Sequence, residues 1–262
     1  MLLLHGLAST RRFWDLVLPG LAGLPVVALD QRGHGDSDRP AGPYDGATVA
    51  ADALTALDAL GISRAVVVGH SWGASTALRL AADAPERVLA VVAVDGGLSS
   101  ARDFGGSREA ARERLTPPRT ALPPEQLQQL LSSGPLAPWW SPDVAAPVLA
   151  LFAVGADGLA RARLPFEAHM AIVDDLLDND PAELLPRITC PAWLVGCGDR
   201  SAALARAAAL LALPRVQHWP DALHDVPLQW PALVAGLVRA AADEAAGPFG
   251  VTSVGSREGS RM

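Results

Sequence analysis

Short apolar segments alternate along this chain with longer segments in which apolar residues recur every three or four positions. The short segments are nearly continuous aliphatic runs, which is typical of strands buried on both faces. They predict six strands, at Leu2–Leu4, Val26–Leu29, Ala65–Val68, Val88–Val94, Ala192–Val195 and Arg215–Trp219. The longer segments predict helices at Phe13–Leu21, Thr48–Leu60, Trp72–Asp83 and Leu228–Ala245. This alternation predicts an α/β fold, with a mostly parallel open sheet covered by helices on both faces.

The alternation stops after Val94, and a proline-rich segment follows with only short helical pieces, such as Glu125–Leu131 and Pro165–Leu177. Such a segment is too long to be a loop of a compact domain, which indicates an inserted cap over the strand ends. The predicted organisation is an α/β core made of residues 1–95 and 187–246, a helical cap at 96–186 and a flexible tail at 247–262.

A candidate nucleophile lies where the third predicted strand meets a helix. Gly69-x-Ser71-x-Gly73 follows an apolar run directly, and a helical pattern begins at Trp72. A serine on such a sharp turn is lifted above the sheet, and the glycines let the strand and the helix approach closely. The N–H of Trp72 then lies at a helix N-terminus, where it can stabilise an oxyanion. The motif therefore predicts Ser71 as a catalytic nucleophile.

Composition and charge narrow the class of protein. Half of the 262 residues are hydrophobic and 19% are charged, as in a globular domain. The net charge of −7 repels nucleic acid and anionic membranes. Cys190 and Cys197 are too few for a disulfide framework or a Cys-rich metal site. Since no basic leader and no long apolar span occurs, we expect a cytoplasmic protein without nucleic-acid or membrane partners.

Five segments occur in the order used by one known family. They are Leu2–Gly6, Asp30–Ser37, Gly69–Gly73, Gly196–Asp199 and Leu223–Pro227. In these segments the chain resembles the α/β-hydrolase family, in its capped branch that acts on small molecules with a serine nucleophile. The resemblance implies a Ser–acid–His triad in that chain order. It also implies an oxyanion hole formed by the backbone N–H groups of Leu7 and Trp72.

The resemblance guides the choice of the base and the acid. Among six histidines, His224 lies in the loop after the last strand, where the family carries its base, whereas His218 falls within that strand. Asp199 follows the strand before it in a glycine-containing turn, the commonest position of the family's acid. Asp95 ends the strand before the cap, where some members place the acid instead. The predicted triad is Ser71, His224 and Asp199, with Asp95 as the alternative acid.

The expected reaction is acyl transfer in two steps. His224 takes the proton of Ser71, the serine attacks a carbonyl carbon, and water later hydrolyses the acyl-enzyme. This chemistry needs no metal and no organic cofactor. We expect the substrate to be a carboxylic ester, lactone or thioester of a small, largely apolar molecule. The candidate pocket residues are His5, Gly6, His70, Phe104, Trp139, Trp140, Phe152, Phe166 and Met170.

Other functions of this fold remain as alternatives or are disfavoured by single residues. Haloalkane dehalogenases and epoxide hydrolases use an aspartate nucleophile, and epoxide opening needs cap tyrosines, whereas Tyr44 lies outside the cap. A cofactor-free haloperoxidase or perhydrolase, and a carbon–carbon bond hydrolase, share the triad. Proline iminopeptidases need acidic cap residues, for which Glu167, Asp174 and Asp175 are candidates. A non-catalytic binding protein is disfavoured because nucleophile, base and acid candidates are all retained.

The chain begins at the strand that leads to His5-Gly6, whereas the family usually has two strands before it. By the family's strand order, Val26–Leu29 would then form an exposed apolar edge of the sheet. A misplaced start codon or a trimmed chain is the preferred explanation. A genuinely shortened sheet, or a homodimer through this edge, is the alternative.

Overall fold

The computed structural model describes residues 1–99 and 107–247. Its strands are β1 (Leu2–Leu4), β2 (Val27–Leu29), β3 (Ala65–His70), β4 (Val88–Val94), β5 (Phe152–Val154), β6 (Ala160–Ala162), β7 (Ala192–Cys197) and β8 (Pro214–Trp219). Six of them form one sheet in the order β2-β1-β3-β4-β7-β8, and every neighbouring pair is parallel. β5 and β6 form a separate antiparallel hairpin. The predicted parallel sheet is therefore confirmed.

Helices cover the sheet and occupy the segment between β4 and β7. They are α1 (Gly46–Ala59), α2 (Trp72–Asp83), α3 (Arg108–Leu115), α4 (Pro124–Ser132), α5 (Pro142–Leu149), α6 (Phe166–Asp178), α7 (Pro181–Leu184), α8 (Ser201–Ala208), α9 (Val226–Gln229) and α10 (Pro231–Ala246). Short 3-10 turns lie at Arg11–Trp14, Leu18–Leu21, Pro85–Arg87, Ala137–Trp139 and Leu185–Arg187.

The two faces of the sheet are packed by different helices. Leu2 and Leu4 of β1 belong to a core cluster with residues of α1, α2 and α8. Leu3 belongs to the cluster on the other face, with Trp14 and with Val238 of α10. All three leucines are fully buried. Because alternate residues of a strand point to opposite faces, a strand covered on both sides needs a continuous apolar run.

Two helix predictions need correction, and proline is the cause in each case. The predicted helix Phe13–Leu21 is wrong, since the segment forms 3-10 turns at Arg11–Trp14 and Leu18–Leu21. Pro19 has no backbone N–H to donate, and its ring would clash with the preceding turn of an α-helix. The last predicted helix is divided into α9 and α10, because Pro231 starts a new helix.

Between β4 and β7 the chain leaves the sheet and later returns to it. The described part of this segment contains α3 to α7 and the β5–β6 hairpin. The two helical pieces predicted there are present as α4 and α6. The hairpin was not predicted, because its strands are largely exposed and therefore lack the continuous apolar run that marks a buried strand. Ile172 of α6 packs in one cluster with Trp72 of α2, so the segment between β4 and β7 lies beside the turn that carries Ser71.

β2 forms one edge of the sheet and β8 forms the other. The side chains of β2 are partly buried, and the pairing of two copies through this edge stays a prediction. No helix within the described ranges combines the length and the apolar character needed to span a bilayer. Of the predicted flexible tail, Gly247 alone lies within the described residues.

Candidate active site

Ser71 lies at the turn between β3 and α2 with φ 55° and ψ −120°, a conformation that residues other than glycine rarely adopt. Its N–H donates to the Val94 carbonyl at 2.9 Å, so the end of β4 holds the turn. Gly69 has no room for a side chain, because a Cβ there would lie 2.0 Å from the Gly73 carbonyl oxygen. This close packing places the Ser71 hydroxyl at the carboxyl edge of the sheet.

Gly73 supports a prediction about stability. A Cβ at this position would lie 2.3 Å from the Leu4 carbonyl oxygen and 2.5 Å from that of His5, and both are backbone atoms. Gly73→Ala is expected to lower the free energy of unfolding by about 2–3 kcal/mol, measured by urea denaturation. Gly236→Ala is the matched helical control, with nothing within 4 Å, and should raise it by roughly 0.5–1 kcal/mol. Equal effects of the two substitutions would contradict this account of the motif.

His224 lies in the loop after β8 and contacts both a hydroxyl and a carboxylate. Its Nε2 is 2.9 Å from Ser71 Oγ, and its Nδ1 is 2.5 Å from Asp95 Oδ2. Since an ionised carboxylate only accepts hydrogen bonds, Nδ1 carries the proton and Nε2 presents its lone pair to the hydroxyl. The side chain is 47% exposed, so solvent can reach the ring. The ring of His218 contacts the Gly198 carbonyl instead.

Asp95, and not Asp199, is the carboxylate at His224. The sequence prediction favoured Asp199, and the structure corrects that choice in favour of the alternative acid. Asp95 follows β4, which lies directly beside the strand that carries Ser71, whereas Asp199 follows β7, one strand farther away. Asp95 also adopts φ 47°, which turns the backbone sharply at the strand end. Asp199 is exposed and lines the cleft beside the site.

The Asp95 carboxylate is only 3% exposed, and every contact it makes favours its ionised form. Oδ1 accepts the Cys197 N–H at 2.9 Å and lies 3.0 Å from Arg200 Nε. Burial alone would raise the pKa of this carboxyl. The hydrogen bond and charge of His224, the charge of Arg200 and the Cys197 N–H outweigh burial and hold the pKa below its usual value. Asp95 is therefore ionised at neutral pH.

Two buried histidines brace the site. His70 Nε2 donates to the His224 carbonyl oxygen at 2.7 Å and so ties the loop of the base to the end of β3. His5 Nδ1 donates to the Gly6 carbonyl at 2.8 Å, and its Nε2 accepts the Gln31 N–H at 3.0 Å. Burial lowers the pKa of His70 to about 3 and that of His5 to about 4. Both rings are therefore neutral and serve as hydrogen-bond partners.

The backbone N–H groups of Leu7 and Trp72 come from the two segments that meet at Ser71. Trp72 begins α2, and Leu7 follows Gly6, whose backbone is so close that a Cβ on it would lie 3.1 Å from Ser71 Cβ. Within the part of the chain that the structure describes, neither N–H donates to a protein acceptor. These two unengaged donors beside a serine hydroxyl can bind a developing oxyanion.

An open cleft of about 820 Å³ gives access to Ser71 and His224. Its apolar lining includes Leu7, Leu115, Pro117, Pro118, Leu176 and Ala203. Its polar lining includes Ser75, Arg114, Thr116, His169, Asp199 and Arg200. The lining is therefore mixed rather than largely apolar. Sequence reasoning missed Arg114 and Arg200, because neither belongs to a motif or a periodic pattern.

The predicted pocket residues do not line this cleft. His5, Gly6, His70, Trp139, Trp140, Phe152, Phe166 and Met170 are all absent from its described lining, and Phe104 lies outside the described residues. Met170 and Phe166 pack within a cluster formed by α3 and α6, and Trp140 packs against Phe13. These large apolar side chains thus pack in small cores away from the cleft, within the segment between β4 and β7 or between that segment and the rest of the chain.

Comparisons with known proteins extend this description. A family profile described as the alpha/beta hydrolase fold matches residues 1–129. RutD of Escherichia coli O127:H6, which is named as a candidate carbamate hydrolase, is 31% identical over 218 residues, covering 76% of this chain and 73% of RutD. The chain belongs to the α/β-hydrolase fold family. The expectation drawn from the five sequence segments is thereby confirmed.

Other members of the α/β-hydrolase fold family match over different lengths. RutD of Caulobacter segnis is 40% identical over 99 residues, and the alignment spans 37% of each chain. The crystal structure of E-2-(acetamidomethylene)succinate hydrolase superposes with a TM-score of 0.77 at 25% identity, covering 92% of this chain and 90% of that one. The likeness to that hydrolase is therefore global in structure, whereas the 40% identity to RutD of Caulobacter segnis covers about a third of the chain.

Proposed function

We propose that this chain is a hydrolase that cleaves an acyl bond in a small molecule, in the first place a carboxylic ester, through Ser71, His224 and Asp95. The observation that carries the proposal is the unbroken line of contacts from Ser71 Oγ through the His224 ring to Asp95, at 2.9 and 2.5 Å. A serine hydroxyl becomes nucleophilic only when a base takes its proton, and an imidazole oriented by a carboxylate is such a base.

In the proposed mechanism, His224 Nε2 takes the proton of Ser71 as the hydroxyl oxygen attacks the carbonyl carbon. Asp95 stabilises the imidazolium, and the N–H groups of Leu7 and Trp72 stabilise the oxyanion. The imidazolium then protonates the departing alkoxide, which leaves an acyl group on Ser71. In the second half, His224 deprotonates a water molecule that attacks the acyl carbon. The bond from that carbon to Ser71 Oγ then breaks, and the imidazolium returns a proton to Oγ, which releases the acid product and restores Ser71.

A carbamate or amide is the second candidate substrate class. The observation that favours it is the 31% identity to RutD of E. coli over 76% of this chain, since that relative is named as a candidate carbamate hydrolase. The same three side chains would act, with the difference that His224 would protonate a departing nitrogen. The mixed lining of the cleft accommodates polar as well as apolar substituents.

Other reactions of the family fit these residues less well. Epoxide opening needs a tyrosine donor at the site, whereas Tyr44 is buried and its hydroxyl donates to the Pro40 carbonyl at 2.8 Å. An iminopeptidase needs acidic cap residues, but Asp174 accepts a hydrogen bond from Arg112 at 2.7 Å. Perhydrolysis and carbon–carbon bond hydrolysis use the same triad and are therefore included in the test.

The test is a panel of short-chain nitrophenyl esters, lactones, thioesters, carbamates, amides and diketones, with and without hydrogen peroxide. We expect saturable ester turnover above the buffer rate that is lost after treatment with a serine-directed phosphonate. Turnover of carbamates or amides alone would favour the second class. Turnover that requires peroxide, or of diketones alone, would contradict the proposal, as would no turnover of any compound.

A further inference from the structure

Arg200 lies in the segment that was expected to supply the acid, and it contacts the acid instead. It directly follows Asp199, and its Nε is 3.0 Å from Asp95 Oδ1. The Cys197 N–H donates to the same oxygen at 2.9 Å, whereas His224 contacts Oδ2. The end of β7 and its connection to α8 thus provide two of the three groups that bind the buried carboxylate.

Arg200 is itself held in a defined position. Its Nη1 donates to Ser99 Oγ at 3.2 Å, and its side chain is 29% exposed. A Cβ on Gly196 would lie 3.1 Å from Arg200 Cβ, so a glycine at that position helps the turn to bring Arg200 against Asp95. A guanidinium stays protonated in proteins. Asp95 is therefore in contact with a permanent positive charge.

We propose that Arg200 is a positioning residue that acts through Asp95. Its positive charge also sets the pH below which the Asp95–His224 pair is already protonated and can no longer accept the proton of Ser71. This inference rests on the proposed function. Because Oδ1 accepts the Cys197 N–H and pairs with the Arg200 guanidinium, the carboxylate cannot rotate without losing a hydrogen bond and an ion pair, and Oδ2 stays directed at the imidazole. A fixed positive charge also opposes the binding of a further proton by the pair, so the inactive protonated form appears only at lower pH.

The other titratable or charged groups around the pair do not replace this contact. They are His70, Cys197, Asp225 and, in the cleft lining, Arg114, His169, Asp199 and Arg206. The His70 ring is 4.9 Å from that of His224, and burial lowers its pKa to about 3, which keeps it neutral. Burial raises the pKa of Asp225 and, to about 12, that of Cys197. Arg200 thus places a permanent positive charge in direct contact with Asp95.

The test compares Arg200→Met, which removes the charge, with Arg200→Lys, which retains it. In the full chain with an ester substrate, we expect Arg200→Met to move the acid limb of kcat/KM to higher pH by about one unit and to lower kcat about tenfold. In Arg200→Lys, the acid limb of kcat/KM is expected to lie within about 0.3 pH unit of its position in the unsubstituted enzyme. Arg215→Met is the control for net charge, because it removes an arginine that pairs with Glu244 on the edge strand, and should leave the limb in place.

An NMR titration of the His224 ring in the same variants needs no substrate and separates this inference from the proposed function. The inference is overturned if Arg200→Met leaves the titration midpoint unchanged, or if the Met and Lys variants titrate alike. Absence of ester turnover with the expected NMR shift would contradict the proposed function alone. If circular dichroism shows that Arg200→Met does not fold, Arg200→Gln replaces it in the comparison with Arg200→Lys.

Discussion

Replacing Ser71 by alanine is expected to lower kcat/KM for any substrate of this site by about 10⁴–10⁶-fold, because the attacking oxygen is lost. The substitution removes one hydroxyl from a half-buried residue and leaves the backbone unchanged, so the fold should be retained. The residual rate comes from binding and from the N–H groups of Leu7 and Trp72, which remain in the variant. Initial rates of ester hydrolysis across substrate concentrations give the comparison.

Ser133→Ala is the control for the Ser71 variant. It removes the same atom from an exposed serine after α4, whose hydroxyl donates to the Gln129 carbonyl. Its rate should match that of the unsubstituted enzyme. If Ser71→Ala retains a tenth or more of the activity, Ser71 is not the nucleophile, and a background reaction on another residue would have to be sought.

Asp95→Asn is expected to lower kcat by about 10³–10⁴-fold with little change in the cleft. An amide nitrogen directed at His224 Nδ1 would favour the wrong tautomer of the ring, and the charge that stabilises the imidazolium would be lost. The amide oxygen of the asparagine would take the place of Oδ1, since the side chain keeps its shape. It would still accept the Cys197 N–H and lie beside Arg200. Steady-state kinetics and the melting temperature of the variant measure the two effects separately.

Asp199→Asn distinguishes the structural assignment from the one favoured by the sequence. Asp199 is exposed and lines the cleft, so removal of its charge should change kcat less than tenfold. The opposite ranking, with a severe loss in Asp199→Asn and a mild loss in Asp95→Asn, would show that the loop after β7 rearranges in solution and that His224 changes its partner.

The parallel sheet and the strand-to-helix turn at Ser71 were predictable from the sequence because their physical signals are local. A strand covered on both faces must be apolar throughout, and β4 was predicted with the bounds that the structure has. The turn at Ser71 requires small residues at Gly69 and Gly73, and that requirement is visible as a motif. His224 needed the resemblance to a family in addition, since a single histidine after a strand carries little information by itself.

The carboxylate that contacts His224 and the lining of the cleft were not predictable, because they depend on distances between segments far apart in the chain. Asp95 and Asp199 both follow strands of the same sheet, and the choice between them is decided by strand order and by the turn at Asp95. The aromatic residues of the cap segment were expected in the pocket because they are apolar. Apolar character is satisfied equally well by packing away from the cleft, as Met170 shows within its own segment and Trp140 shows against Phe13.

The most direct measurement of the central claim is the mass of the protein during turnover of a slow ester or carbamate. The account predicts a covalent adduct with the mass of the acyl group, located by peptide mapping on Ser71, absent from Ser71→Ala and formed much more slowly in Asp95→Asn. An adduct on another residue would contradict the proposed role of Ser71. So would turnover that shows no initial burst of product and no adduct in samples quenched rapidly at any time.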